Sequence, residues 1–307
     1  MKHPILTTLL AGLVAVGFGG AWLLTEPRSA YSAANEPELA GGDPTRGKVV
    51  FDAGQCASCH ASPGQPDRHR LGGGLALETP QGTFRAPNIS SHPRDGIGAW
   101  TAVEFANAVA SGVSPSGQHY YPSFPYTSFT HARTEDVRDL FAYLRSIEPV
   151  EGRPPDHDLA LPLRLRRGIG LWKLLYFEPG PIAPDPGRDA LWNRGRYLVE
   201  GLSHCAECHS ARNLAWAIRP ETRFAGGLNP EGIGAAPNIT PTGIGGWSRD
   251  ELAAFLRTGH SPELRFVGAQ MADVVANMAR LPDQDRDAIA VYVTSLPRRV
   301  TPREARH

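Results

Sequence analysis

Apolar residues recur with helical spacing through most of the chain, and no segment alternates apolar and polar positions clearly enough to predict a strand. The first feature is an uncharged run from Ile5 to Leu24, preceded by Lys2 and His3 and closed by Glu26, Pro27 and Arg28. Its length matches a bilayer-crossing helix and Trp22 sits near one interface, so residues 1–28 read as a signal peptide or a membrane anchor. A retained anchor is the leading reading, while the small residues from Ser29 to Ala34 would suit cleavage. Beyond it, Arg46 to Phe51 and Arg194 to Val199 predict short amphipathic helices. Thr101 and Ser248 are placed as N-caps of helices that begin after Trp100 and Trp247. Thr134 is expected to cap a helix over Glu135 to Ile147, with Val137, Leu140, Phe141 and Leu144 on one face. Asp283 leads into a last helix carrying Ile289, Val293 and Leu296.

These elements occur twice in the same order. Ala-Pro-Asn-Ile stands at Ala86 to Ile89 and again at Ala236 to Ile239, and Ile-Gly-x-Trp at Ile97 to Trp100 and Ile244 to Trp247. The pattern predicts an all-α chain of two tandem domains, 41–149 and 190–300, after the N-terminal signal or anchor helix at 1–28, with a connector over 150–189. The connector is proline-rich and is both basic and apolar from Leu161 to Phe177. Two readings apply to it: a segment packed between the domains, or a surface lying against a membrane or a partner subunit.

Composition narrows the function classes. Lys plus Arg and Asp plus Glu each total 31, so no global field favours nucleic acid. The chain has four cysteines, and they fall as Cys56-Ala57-Ser58-Cys59-His60 and Cys205-Ala206-Glu207-Cys208-His209, their first members 149 positions apart. Two thiols three positions apart suit thioether attachment to the two vinyl groups of a haem, and the histidine that follows is placed to ligate its iron. A four-cysteine zinc site, a redox dithiol or structural disulfides would not need a histidine behind both pairs. The pattern therefore predicts two covalently bound haem c groups, held by Cys56, Cys59, Cys205 and Cys208 with His60 and His209 on the irons. A small helical domain has little core of its own, so each porphyrin would supply much of the buried apolar surface.

The second axial ligand separates the halves. Of the three methionines, Met271 and Met278 both lie in the second half; Met271 has the better position for an iron ligand, and Met278 reads as core. The first half has no methionine. His119 is the nearest strong nitrogen donor there, with another histidine or lysine, or an open iron, as the other outcomes.

Residues after about Gly41 resemble the membrane-associated cytochrome c subunits that serve periplasmic alcohol, aldehyde and sugar-acid dehydrogenases. The resemblance is carried by the paired haem motifs, the two Ala-Pro-Asn-Ile and Ile-Gly-x-Trp segments, Tyr-Pro-x-x-Pro-Tyr at Tyr121 to Tyr126, and Met271-Ala272-Asp273-Val274-Val275. It implies a ligand role for Met271. In such proteins a ligand methionine commonly precedes the second proline of Tyr-Pro-x-x-Pro-Tyr, and here Phe124 takes that place. Many such subunits carry three haems, whereas this chain has two motifs. The implied function is electron transfer in the bacterial periplasm, on a chain anchored to the cytoplasmic membrane. A dehydrogenase or quinol-linked donor would reduce it, and a cytochrome or terminal oxidase would accept the electron. The competing class is a dihaem redox enzyme of the peroxidase or thiosulfate-oxidising type, with the methionine-free first haem catalytic.

Overall fold

The protein is described here by a computed structural model covering residues 12–13, 16–17, 19–229, 234–268 and 270–305. Much of the expected Ile5 to Leu24 helix lies outside these residues; its end, residues 19–24, is helical. Among the described residues no helix is long and apolar enough to cross a membrane.

The first half runs through α1 (Pro44–Ala53), α2 (Cys56–His60), β1 (Ala76–Thr79), β2 (Gly82–Arg85), α3 (Ala102–Ser111) and α4 (Thr134–Ser146). The side chain of Asp43 caps α1 by accepting from the Thr45 and Arg46 amides, and Pro44 starts the helix where a missing N–H costs nothing. Thr101 caps α3 in a reciprocal box with Glu104, as its spacing predicted. For α4 the expected cap is displaced by one: Arg133 occupies the cap position without a side-chain bond, and Thr134 is the first helical residue. The Thr134 hydroxyl instead meets the Tyr31 hydroxyl at 3.2 Å.

After α4 the chain returns to the first half, where β3 (Asp158–Leu159) pairs antiparallel with β2, completing a three-stranded sheet in the order β1-β2-β3. Gly82 makes this close approach possible: its φ is +118°, and a Cβ there would stand 2.3 Å from the Asp158 carbonyl oxygen. The strands are too short and too shallowly buried for alternation to reveal them, so the all-α expectation becomes a mostly helical fold with a small sheet. Next comes α5 (Arg167–Tyr176), followed by α6 (Ala190–Tyr197), which widens into a π-helical turn over Leu198–Leu202. The two-residue strands β4 (Gly227–Leu228) and β5 (Ala235–Ala236) pair antiparallel. The chain then forms α7 (Arg249–Thr258), α8 (Gln270–Met278) and α9 (Asp283–Thr294), with Ser248 and Glu251 repeating the capping box on α7.

In each half the first helix crosses the last. Gly47 on α1 faces the Asp139 carbonyl of α4, where a Cβ would stand 1.9 Å from the oxygen, and Gly195 on α6 faces the Ala288 carbonyl of α9 at the same 1.9 Å. Each crossing carries an ion pair to a buried aspartate. Arg46 Nε meets Asp139 Oδ2 at 2.6 Å, and Arg194 Nε meets Asp285 Oδ1 at 2.8 Å. The apolar core is continuous between the halves and includes Phe51, Phe105, Leu144, Leu198, Met278 and Ile289. Met278 is 2% exposed, as its core reading required.

Candidate functional site

Each cysteine pair follows a residue in the left-handed region, Gln55 at φ 58° and His204 at φ 39°. That conformation is costly for a residue with a Cβ. It turns the chain sharply out of the preceding helix and into the Cys-x-x-Cys-His segment. The histidine of each segment is fixed through one ring nitrogen: His60 Nδ1 donates to the Pro87 carbonyl at 2.8 Å, and His209 Nδ1 donates to the Pro237 carbonyl at 2.7 Å. A carbonyl can only accept, so Nδ1 carries the proton and Nε2 is left unprotonated and able to bind a metal. Burial pushes both imidazoles below their ordinary pKa, against the opposing pull of those hydrogen bonds, which keeps them neutral.

Pro87 and Pro237 belong to the repeated Ala-Pro-Asn-Ile segments, whose role the sequence did not disclose. The asparagine after each proline locks that segment to the end of its half. Asn88 Nδ2 donates to the Val150 and Gly152 carbonyls at 2.7 and 2.9 Å, and Asn238 Nδ2 to the Arg299 carbonyl at 2.8 Å. Their Oδ1 atoms accept from Ser90 and from Thr240. The amide side chains thus hold the loops whose carbonyls orient His60 and His209.

Burial, followed by the neighbouring Cys59, pushes the Cys56 thiol up to about 12; burial, followed by Glu200 and Cys208, does the same at Cys205. Half-buried thiols beside a neutral imidazole with an open Nε2 fit attachment and axial ligation of a haem. In each half Cys56, Cys59 and His60, or Cys205, Cys208 and His209, are the residues that could hold one.

The two segments abut. His204, just before Cys205, hydrogen-bonds to the Gly54 backbone and meets the Phe129 ring edge to face at 5.5 Å. The residue before the second cysteine reaches across in both directions: Ser58 Oγ accepts from Asn277 Nδ2 at 2.8 Å, and Glu207 Oε1 accepts from Thr127 at 2.9 Å and Ser128 at 3.2 Å. Glu207 also pairs with Arg212 at 2.6 Å, and although burial opposes its charge, that pairing holds the carboxyl below its usual range. No sequence pattern pointed to these contacts.

The candidate sixth ligands separate. The left-handed glycines after α3 and α7, Gly112 and Gly259, are 147 apart, as are the bridge pairs Val113 with His119 and His260 with Phe266. In this register His119 matches Phe266, and Met271 matches Phe124. Met271 lies on α8, partly buried against the core. His119 is 3% exposed, but its Nε2 donates to the Thr25 carbonyl at 2.9 Å and its Nδ1 is buried without a partner. Burial lowers its pKa, and Lys173 and Arg167 add to that effect. His119 thus contacts the N-terminal segment, five residues before the position matching Met271 of the other half. His131 donates to the Gly180 carbonyl at 2.7 Å, and His92 sits 3.3 Å from Asp95.

A family model for cytochrome c matches residues 44–148. The chain is 46% identical over 303 residues to a diheme cytochrome c-type protein of Cereibacter sphaeroides, covering 95% of this chain and 98% of that one. It is 40% identical over 252 residues to a nicotinate dehydrogenase subunit of Pseudomonas putida, covering 82% of this chain but 21% of the relative. With the fructose dehydrogenase cytochrome subunit of Gluconobacter japonicus it shares 35% identity over 278 residues, 89% of this chain and 55% of that one. The chain thus spans nearly all of the first relative and about half or less of the other two.

Proposed function

The chain belongs to the c-type cytochrome family, and from that premise we propose that it is a dihaem electron relay built of two tandem haem domains. The single observation that carries the count of two is the duplicated anchoring of His60 on Pro87 and His209 on Pro237, each directly behind a cysteine pair. Covalent haem c supplies reversible one-electron storage at iron. Cys56 and Cys59 would hold one group and Cys205 and Cys208 the other, with His60 and His209 presenting Nε2. Around them the chain's own work is positional. The proline carbonyls set the tautomer and ring plane of both histidines, Asn88 and Asn238 hold those carbonyls in place, and the Ser58 and Glu207 contacts keep the two attachment segments in register. That contact favours electron passage within the chain, since both segments ride on one continuous core.

Met271 is proposed as the thioether ligand of the second iron. Phe124 at the matching position offers the first iron no sulfur, and because His119 Nε2 is spent on Thr25, the ligand role proposed from sequence is withdrawn from it. The relatives named as dehydrogenase subunits support a dehydrogenase as the electron donor, with a cytochrome or oxidase as acceptor. The apolar Ile5 to Leu24 run supports a periplasmic chain anchored at the membrane. The test is covalent stoichiometry. Protein matured in a host competent for cytochrome c assembly should carry two haems by intact mass, and Cys56→Ala with Cys59→Ala should remove one; a wild-type mass with a single haem would overturn the proposal.

A further inference from the structure

Helix α5 is built inside out. Its cations point into the protein: Lys173 Nζ donates to the Ser111 and Gly112 carbonyls at 2.6 and 2.9 Å and lies 4.5 Å from the Tyr126 ring centroid. Burial pushes this ammonium down to about 7. Arg166 donates to the His119 carbonyl at 3.0 Å, and Arg167 donates to Thr25 Oγ1 at 3.1 Å while standing 4.1 Å over the Trp22 ring. Gly170 brings the helix against Thr25, where a Cβ would stand 2.3 Å from the carbonyl oxygen. The outward face instead carries Leu171, Leu174 and Leu175, which are 55%, 50% and 65% exposed. Leu161 and Leu165, at 76% and 66%, lead into that helix. A helix facing water shows the reverse arrangement, and exposed apolar surface on this scale marks an interaction site.

Three observations select lipid as the occupant. The contacts of Arg167 and Gly170 with Trp22 and Thr25 bring the end of the N-terminal helix to α5, where Trp22, Leu23 and Leu24 are 64%, 66% and 56% exposed. The uncharged run that ends at Leu24 has the length of a bilayer span, so a chain leaving the membrane there delivers α5 to its surface. The exposed Arg28, with Trp22 and Tyr176, supplies a cation and amphipathic rings that suit an anionic headgroup layer.

We propose that α5 lies on the membrane surface with Leu171, Leu174 and Leu175 in the boundary between headgroups and acyl chains, a second contact that fixes how the haem-binding halves face the bilayer. This rests on the anchor reading above. The test places the full-length holoprotein in nanodiscs of mixed phosphatidylcholine and phosphatidylglycerol, with a nitroxide on Leu175→Cys or, separately, Leu171→Cys. An otherwise identical label on Glu135→Cys, at an exposed position of α4, gives the water reference. Collision with oxygen should exceed collision with a water-soluble nickel chelate several-fold at 175 and 171, and the order should reverse at 135. Dominance of the nickel chelate at 175 and 171 in incorporated protein would overturn this inference and leave the anchor standing. Low collision with both reagents would mean protein covers the helix, which also overturns it. Failure of the unlabelled protein to enter nanodiscs would overturn the anchor and this inference together.

Discussion

Gly195→Ala tests whether the crossing of α6 over α9 is the closure on which the second half depends. The new Cβ would stand 1.9 Å from the Ala288 carbonyl oxygen, 2.6 Å from its carbon and 2.8 Å from Tyr292 Cβ, whereas ordinary contact begins near 3.4 Å. The shortfall is about 1.5 Å against backbone, so no side-chain rotation relieves it and the helices must separate. Overpacking of this kind costs about 1–3 kcal/mol, and backbone on the opposing side places the cost at the upper end. Alanine returns up to about 1 kcal/mol through helix propensity, leaving a net loss of about 2 kcal/mol. With an m-value of about 2 kcal/mol per molar, the urea midpoint should fall by about 1 M. The separation also strains the Arg194–Asp285 pair that spans the same crossing. The measurement is urea unfolding of the holoprotein by far-ultraviolet circular dichroism, with Gly246→Ala as control because nothing lies within 4 Å of a Cβ there. The control should stay near the wild-type midpoint. If Gly195→Ala also stays there, the close approach does not hold the half together and the reasoning fails.

Three further outcomes follow from the same geometry. Asp139 is buried, which opposes its charge, but hydrogen bonds from Arg46, the Asp43 amide and Arg138 outweigh that and hold its pKa below the usual carboxylate range; its stabilisation is complete above the unfolded value of about 3.9 and is lost as pH falls toward the folded value. Asp139→Asn should therefore lower stability at neutral pH and flatten the acid limb of a melting-temperature profile, and an unchanged limb would remove the pair from the account. Met271→His should lower the potential of one haem in a spectroelectrochemical titration and leave the other unmoved, because thioether favours ferrous iron relative to imidazole; two unmoved potentials would refute the ligand assignment. His119→Ala should cost about 1–2 kcal/mol by releasing the Thr25 carbonyl and leave the electron paramagnetic resonance spin state of both irons unchanged, so a new high-spin signal would restore His119 to the iron.

The local elements were legible in the sequence because they are written in short spacings. Cys-x-x-Cys-His places two thiols and an imidazole within one turn whatever the rest of the chain does, and the paired capping boxes at Thr101 and Ser248 need only a residue three positions on. The helix order followed from apolar periodicity, and the expectation of a duplication from short motifs that recur at near-constant separation. What tertiary structure decided are contacts between residues far apart. The glycines at 47 and 195 look like weak points in helices until the opposing carbonyl appears. The strand at Asp158–Leu159 was invisible in the sequence because two residues carry no alternation. Nothing in the Ala-Pro-Asn-Ile segments said that their proline carbonyls orient His60 and His209, since a backbone acceptor has no residue code. His119 is the clearest case: a histidine is as able to bind a backbone carbonyl as an iron, and only the fold brings the Thr25 carbonyl, 94 positions earlier, to its Nε2. Local spacing determines which groups stand together along the chain, and long-range packing determines which partners they meet.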